Sequence, residues 1–292
     1  MHAAAPEEEE ERAAELAGPL RDLLPPVDFC CAYGSTLLHA RPDGTSMVDY
    51  ILGVADPLRW HSENLERNPA HYSRWMARLG AGAITGLADR VGVGVYFNPF
   101  VEWRDKRIKY GVVRMKDLAM DVLTWDRFYL SGRLQKPVHV LVDNWDIRKV
   151  NTINLEMATS ASLLLLPEEF NEYDLYAQIC SLSYMGDLRM LFAEDKNKDG
   201  GPSTTNELFS VLPWTIQRQL QGRSTFHGKE MPTRTVVSSK DMAANCLRKA
   251  LRSRVMVSSA RQAASGLLAS GGAVAAQYLA KKMAKAWQSR AA

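Results

Sequence analysis

The chain has no run of 18 or more apolar residues, so a conventional membrane-spanning helix is not expected. Cysteine is scarce: Cys30, Cys31, Cys180 and Cys246 show no metal-ligand spacing, which argues against a zinc module and a disulfide scaffold and fits reduced thiols. The first residues, M-H-A-A-A-P-E-E-E-E-E-R, lack the basic-then-apolar order of a secretory signal and the arginine enrichment of a transit peptide. No internal repeat is present. After Asp241 there is no acidic residue at all.

What is present is an ordinary globular composition, 46% hydrophobic and 24% charged over 292 residues, enough for one large domain or two smaller ones. The net charge of +3 hides an asymmetry. Residues 1–240 hold 27 basic and 32 acidic residues, whereas residues 241–292 hold nine basic residues against Asp241 alone. Such a C-terminal excess suits an anionic surface, phospholipid or nucleic acid.

Punctuation and periodicity divide the chain. A frayed helix over Glu7–Leu16 and a linker closed by Pro25-Pro26 form an N-terminal extension, residues 1–26. V-D-F-C-C-A-Y, S-M-V-D-Y-I-L-G-V, V-G-V-G-V-Y-F-N-P, R-I-K-Y-G-V-V and V-H-V-L-V read as strands. Helices are expected near 60–79, broken at Asn68-Pro69, and from Met115 to Leu130. An α/β domain over 27–150 is therefore expected, then a mainly helical part over 151–240 with helices at 152–166 and 172–182, and a basic segment over 241–292. D-K-N-K-D-G at Asp195–Gly200 looks like a calcium loop, but its twelfth position is Asn206 where a glutamate belongs.

Gly34-Ser35, after the first strand, exposes backbone N–H groups with no Cβ in the way, which suits a phosphate and equally serves as a plain turn. It lacks the G-K-[ST] ending of a P-loop. Asp49 stands inside the apolar strand M-V-D-Y-I-L, where a carboxylate faces either a metal or water. Strand, Gly-Ser turn and acidic strand together are how nucleotidyltransferases hold a nucleoside triphosphate beside magnesium. W-H-S-E-N-L-E-R-N-P-A-H-Y-S puts His61 and Asn64 one helical turn apart, suited to hydrogen bonding a base or phosphate, or to bonding each other. Lys109 within a strand, and Arg133 and Lys136 before the next one, are cations for phosphate oxygens or solubilising charges. Tyr184, Asp187 and Arg189 cluster in S-Y-M-G-D-L-R-M. Toward the C terminus, Lys281, Lys282 and Lys285 alternate with apolar residues and Trp287, as in an interfacial helix. Aromatics spaced to stack on bases are absent there, so no nucleic-acid partner is expected.

Taken together, C-A-Y-G-S, W-H-S-E-N-L-E-R-N-P-A-H-Y-S, G-V-G-V-Y-F-N-P, I-K-Y-G-V-V, Y-L-S-G-R-L-Q-K-P-V, L-S-Y-M-G-D-L-R-M and S-S-A-R-Q-A-A-S-G resemble the mitochondrial translocator assembly and maintenance protein family. Its members are mitochondrial-type phosphatidate cytidylyltransferases. The resemblance implies a nucleotidyltransferase-like α/β domain with a mixed sheet, then a mainly helical domain and a basic C-terminal segment. It implies CTP and phosphatidic acid as substrates, Mg²⁺ as cofactor, an anionic membrane as partner, a peripheral place on the matrix side of the mitochondrial inner membrane, and a product that feeds cardiolipin synthesis. A homodimer is among the assemblies the sequence allows.

By that resemblance Asp49, Ser35 and Lys109 are the catalytic set. Gly34, Ser35, His61, Asn64, Lys136, Tyr184 and Arg189 bind nucleotide. Asp49 and Asp56 hold metal, with Asp143 and Glu194 as alternatives for the second position, and Lys281, Lys282, Lys285 and Trp287 meet lipid. A nucleotidyltransferase with a soluble or nucleic-acid acceptor, or a non-enzymatic translocase assembly factor, is the competing expectation.

Overall fold

The computed structural model of the chain describes residues 6–34, 47–185, 208, 210–220 and 240–270. Two compact units divide it: residues 1–117, 138–145 and 260–292 form the first, and 118–137 and 146–259 the second. The expected sequential cut near residue 150 is replaced by an interleaved one. Residues 118–137 leave the first unit, and the chain returns to it to add a last strand.

The first unit is built on a five-stranded sheet of order β3-β4-β2-β1-β5. Its strands are β1 (Phe29–Tyr33), β2 (Val48–Val54), β3 (Val95–Trp103), β4 (Lys106–Arg114) and β5 (His139–Asp143). β1 runs antiparallel to β2 and β5, and β3 antiparallel to β4, while β2 and β4 are parallel, so the sheet is mixed. Consecutive side chains on a strand point to opposite faces. One face carries Cys30, Ala32, Tyr50, Leu52, Ile108, Tyr110 and Val112, which pack in one core with Trp60. The other carries Cys31, Tyr33, Asp49, Ile51, Lys109 and Gly111 by the same alternation.

The helix expected over Glu7–Leu16 is present, but the residues after it pack on the sheet instead of forming a free linker. Helices α1 (Pro6–Leu16) and α2 (Gly18–Asp22) bring Leu16, Leu20, Leu23 and Leu24 into the sheet's core. Tyr50 donates its hydroxyl to the Leu16 carbonyl at 3.1 Å, and the Trp60 indole donates to the Pro25 and Pro26 carbonyls at 3.3 and 3.1 Å. The acidic block drew attention away from the leucines that follow it. Burying two leucines supplies about 3–6 kcal/mol, enough to hold a short helical segment in place.

Helix α3 (Pro57–Arg67) follows β2, a 3₁₀ turn covers Pro69–His71, and α4 (Arg74–Leu79) and α5 (Ala81–Gly86) lead to β3. Tyr72, Met76, Ile84, Ala88, Tyr96 and Ala269 form a second core within this unit.

In the second unit, which also holds the short α7 (Ser131–Leu134), α8 (Ile147–Leu165), α9 (Glu172–Ser181) and the Trp214–Leu220 helix bury Met157, Ala161, Leu164, Ile179 and Ile216 together with Leu247 and Leu251. Among the described residues of 151–240, the helical character expected is present. Helix α6 (Met115–Thr124) stops earlier than the sequence suggested, because Trp125 and Phe128 adopt φ of 54° and 51°. The buried Asp121 carboxylate supports that turn by accepting backbone N–H groups from Arg127, Phe128, Tyr129, Leu130 and Ser131 at 3.0, 2.9, 3.1, 2.7 and 3.2 Å.

Candidate active site

The register of the sheet builds one corner of the first unit. Tyr33, the last residue of β1, pairs with Asp49, and the parallel register sets Asp49 beside Lys109. Asp49 and Lys109 therefore share a face, with Lys109 Nζ 3.4 Å from Asp49 Oδ1 and both side chains about one-quarter exposed. Gly34 closes β1 at φ +108°, and a Cβ placed on it would lie 3.4 Å from Asp49 Oδ2. Glycine is needed at this position, because side chains rarely adopt that backbone conformation. The turn backbone can thus approach the carboxylate closely.

A third element supports Lys109. Its ammonium lies 4.7 Å from the Phe97 ring centroid. Phe97 pairs with Gly111, and a Cβ on Gly111 would fall 2.5 Å from the ring. The absent side chain lets the ring lie against β4, where its face meets the cation. Neither Phe97 nor Gly111 stands out in the sequence alone. A glycine one pleat beyond the lysine on the same face was the available signal.

Asp49 Oδ1 is buried, and no donor meets it in hydrogen-bond geometry; Lys109 is within ion-pair distance only. Buried acceptors are normally satisfied, and an unsatisfied one at a half-open corner is suited to a cation. Among the described residues, no group of three or more His, Cys, Asp or Glu side chains gathers to form a complete protein shell. Mg²⁺ commonly takes one or two carboxylates and fills its remaining positions with phosphate oxygens and water, so a single aspartate fits that mode.

The second metal position expected at Asp56 is placed elsewhere. Asp56 caps α3, accepting from the Leu58 and Arg59 amides at 2.9 and 3.3 Å, and lies past the far end of β2, roughly 20 Å along an extended strand from Asp49. Its Oδ1 is engaged by the helix N-terminus. Asp143 pairs with Phe29, also at the other end of β1. Ser35, Asp187, Arg189, Glu194, Lys281, Lys282, Lys285 and Trp287, and the Asp195–Gly200 loop, lie outside the described residues.

His61 and Asn64 are not beside Asp49 either. Both are buried on the face that carries Tyr110, opposite Lys109. Asn64 donates its two amide hydrogens to the Tyr72 and Tyr110 hydroxyls, each at 2.8 Å. His61 Nδ1 lies 2.9 Å from Tyr72, and His71 Nδ1 lies 2.8 Å from Tyr110. Asn68 donates to Asn64 Oδ1 at 2.9 Å and to the Leu23 carbonyl at 2.8 Å. The network is satisfied when each tyrosine donates to its histidine, leaving the ring proton on Nε2. The specific W-H-S-E-N-L…N-P-A-H-Y block thus joins α3 to β4 and to the N-terminal segment, and its polar groups face one another.

Burial lowers His61 from 6.5 to about 3 and His71 to about 4, so both rings are neutral when folded. Below pH 6.5 the unfolded chain binds more protons than the folded one. The stabilisation is full above that value and is lost as pH falls toward 4. Denaturant titrations from pH 7 to 4 should show a steady loss of stability, with a shallower slope in His71→Gln. An unchanged slope in that variant would contradict the assignment.

Over residues 16–200 and 197–285 the chain matches the family model described as "Phosphatidate cytidylyltransferase, mitochondrial". The chain belongs to this family. Curated mitochondrial phosphatidate cytidylyltransferases are similar along most of its length. The Danio rerio protein is 33% identical over 314 residues, covering 90% of this chain and 92% of the relative. The Mus musculus protein is 31% identical over 308 residues, covering 90% and 91%. The Schizosaccharomyces pombe protein reaches 41% over 196 residues, 65% of this chain and 49% of its own.

In this member of the mitochondrial phosphatidate cytidylyltransferase family, the second unit brings two further expected residues together. Lys136 Nζ lies 2.5 Å from Ser183 Oγ and 4.0 Å from the Tyr184 ring centroid. Arg133 instead stacks on Tyr129 at 3.7 Å and donates to its carbonyl at 2.6 Å. Beneath this segment, Asn154 is fully used: Oδ1 accepts from Trp125 Nε1 and Gln135 Nε2 at 2.7 and 3.0 Å, and Nδ2 donates to the Ser131 carbonyl and Asn151 Oδ1 at 3.1 and 2.8 Å. Asp121 and Asn154 were not foreseen as supports. An acid and an amide on the inner faces of apolar helices were the only trace they left.

Proposed function

We propose that the chain transfers CMP from CTP to phosphatidic acid, releasing pyrophosphate and forming CDP-diacylglycerol. Family membership supports the reaction, and the Gly34–Asp49–Lys109 corner is the observation that carries the site. A phosphatidate phosphate oxygen attacks the α-phosphorus of CTP as the bond to the β-phosphate oxygen breaks. The nucleophile is anionic near neutral pH, so proton abstraction is not the main task. Holding two anions in line and offsetting their repulsion is.

Lys109, backed by Phe97, supplies positive charge to the phosphates. The Gly34 turn leaves room for them to approach backbone donors. Asp49 would hold Mg²⁺ through its unsatisfied Oδ1; such an ion screens the triphosphate and stabilises the developing pyrophosphate charge. A place on the matrix side of the inner membrane, and supply of the product to cardiolipin synthesis, belong to the same reading. Among the described residues no helix is long and apolar enough to cross a membrane, which suits attachment to the bilayer surface.

The test is CTP labelled at the α-phosphate, incubated with phosphatidate vesicles and Mg²⁺. Label should enter the lipid fraction. Label confined to a water-soluble product would mean a different acceptor, and no CTP binding at all would mean an assembly factor. A finer check is Gly111→Ala, which forces the Phe97 ring away from β4 and loosens Lys109. We expect turnover to fall by about tenfold or more, and stability by about 1–3 kcal/mol. Unchanged turnover would remove Phe97 from the support of Lys109.

A further inference from the structure

A separate surface of the first unit is written for a lipid interface. Helix α4, R-W-M-A-R-L, buries Met76 and turns Arg74, Trp75, Arg78 and Leu79 outward along one stripe. Trp75 is 40% and Leu79 59% exposed. Neither Arg74 nor Arg78 makes a hydrogen bond or ion pair with a described residue, and α4 contains no acid.

The last turns of the Lys240–Ser270 helix adjoin this stripe. The Ser73 hydroxyl, at the start of α4, donates to the Ala269 carbonyl at 2.5 Å, and Ala269 packs in the same core as Met76 and Ile84. After Arg261, the exposed positions there are Ala263, Ala264, Gly266, Leu267 and Leu268, all apolar. Residues 260–270 hold no acid.

Exposed tryptophan and leucines together with unpaired arginines are not a solubilising surface. Apolar side chains enter the acyl boundary, arginines reach phosphates, and an indole sits at the level between. We propose that α4 and the end of the Lys240–Ser270 helix form a preformed docking face for an anionic bilayer. This rests on the reading that the acceptor is phosphatidate, which stays in the bilayer and must be met there. The face is made of residues that precede Gly271, apart in sequence from Lys281, Lys282 and Lys285. It fixes a folded part of the enzyme, and not only a terminal segment, to the lipid surface.

The test uses the full chain and cosedimentation with vesicles of phosphatidylcholine alone or mixed with phosphatidylglycerol. Arg74→Gln/Arg78→Gln should lower partitioning onto the mixed vesicles by roughly tenfold or more and leave the weak binding to neutral vesicles unchanged. Trp75→Ser/Leu79→Ser should lower both. Each variant should keep the parent's melting temperature and its turnover on dispersed short-chain phosphatidate. Partitioning equal to the parent's in both variants overturns the proposal. So does a fall in the chain's mass in solution with unchanged vesicle binding, because the face would then pack on a second copy. A parent chain that partitions as described but labels no lipid would support the docking face and remove the activity reading.

Discussion

Asp49→Ala is expected to lose at least about 10³-fold in turnover, about 4 kcal/mol of transition-state stabilisation, while its melting temperature stays level or rises. The two halves of this expectation have one cause. Asp49 Oδ1 is buried without a hydrogen-bond donor, so the fold gains little from it. Lys109, 3.4 Å away, keeps the face of Phe97 and partial access to water when the carboxylate is gone. On the proposed reading, a carboxylate that contributes little to stability and stands beside a glycine turn is kept for a ligand. Asp49→Asn, which keeps the shape and loses the charge, should be nearly as inactive. A variant that folds and still turns over would take Asp49 out of the metal role.

Asp121→Ala should cost about 3–4 kcal/mol of stability, one of the largest losses available from a single polar side chain here. Its carboxylate accepts five backbone N–H groups, four of them between Phe128 and Ser131, and no other group could replace so many bonds at once. The turn it holds contains Trp125 and Phe128 with positive φ, a conformation that needs outside support. Arg254 adds to the loss. Burial lowers its pKa, and the nearby negative charges of Asp126 and Asp121 oppose that shift. Removing one acid leaves the half-buried guanidinium less compensated. Asp121→Asn should fall between the two, since one amide oxygen still accepts while its NH₂ meets donors. Denaturant unfolding measures both; a loss within about 0.5 kcal/mol for Asp121→Ala would mean that water replaces the carboxylate.

Much of the sheet was legible because its strands are short apolar runs, and β1, β2 and β5 close at Gly34, at Asp56-Pro57 and at Asp143. The pairing of Tyr33 with Asp49 was also within reach, since strands consecutive in the chain are usually neighbours in a sheet. Two features were not. The first is the face of each polar residue: His61 and Asn64 look like ligand groups in a linear reading, yet Tyr110 and Tyr72, 46 and eight residues away from Asn64, absorb them. A buried partner distant in sequence leaves no local mark. The second is the division of the chain. β5 must return to β1 after residues 118–137 have left, and periodicity says nothing of such an excursion. The N-terminal leucines were hidden for a simpler reason, because their segment reads as a frayed helix and a linker closed by Pro25-Pro26.

On the proposed reading, CTP binds with its triphosphate at the corner made by Gly34, Asp49 and Lys109. A structure of the chain with CTP and Mg²⁺ is the sharpest check of that binding mode. It should show the ion on Asp49 and phosphate oxygens within reach of Lys109 Nζ and the Gly34 backbone. A triphosphate bound elsewhere, with Asp49 and Lys109 still paired to each other, would contradict it.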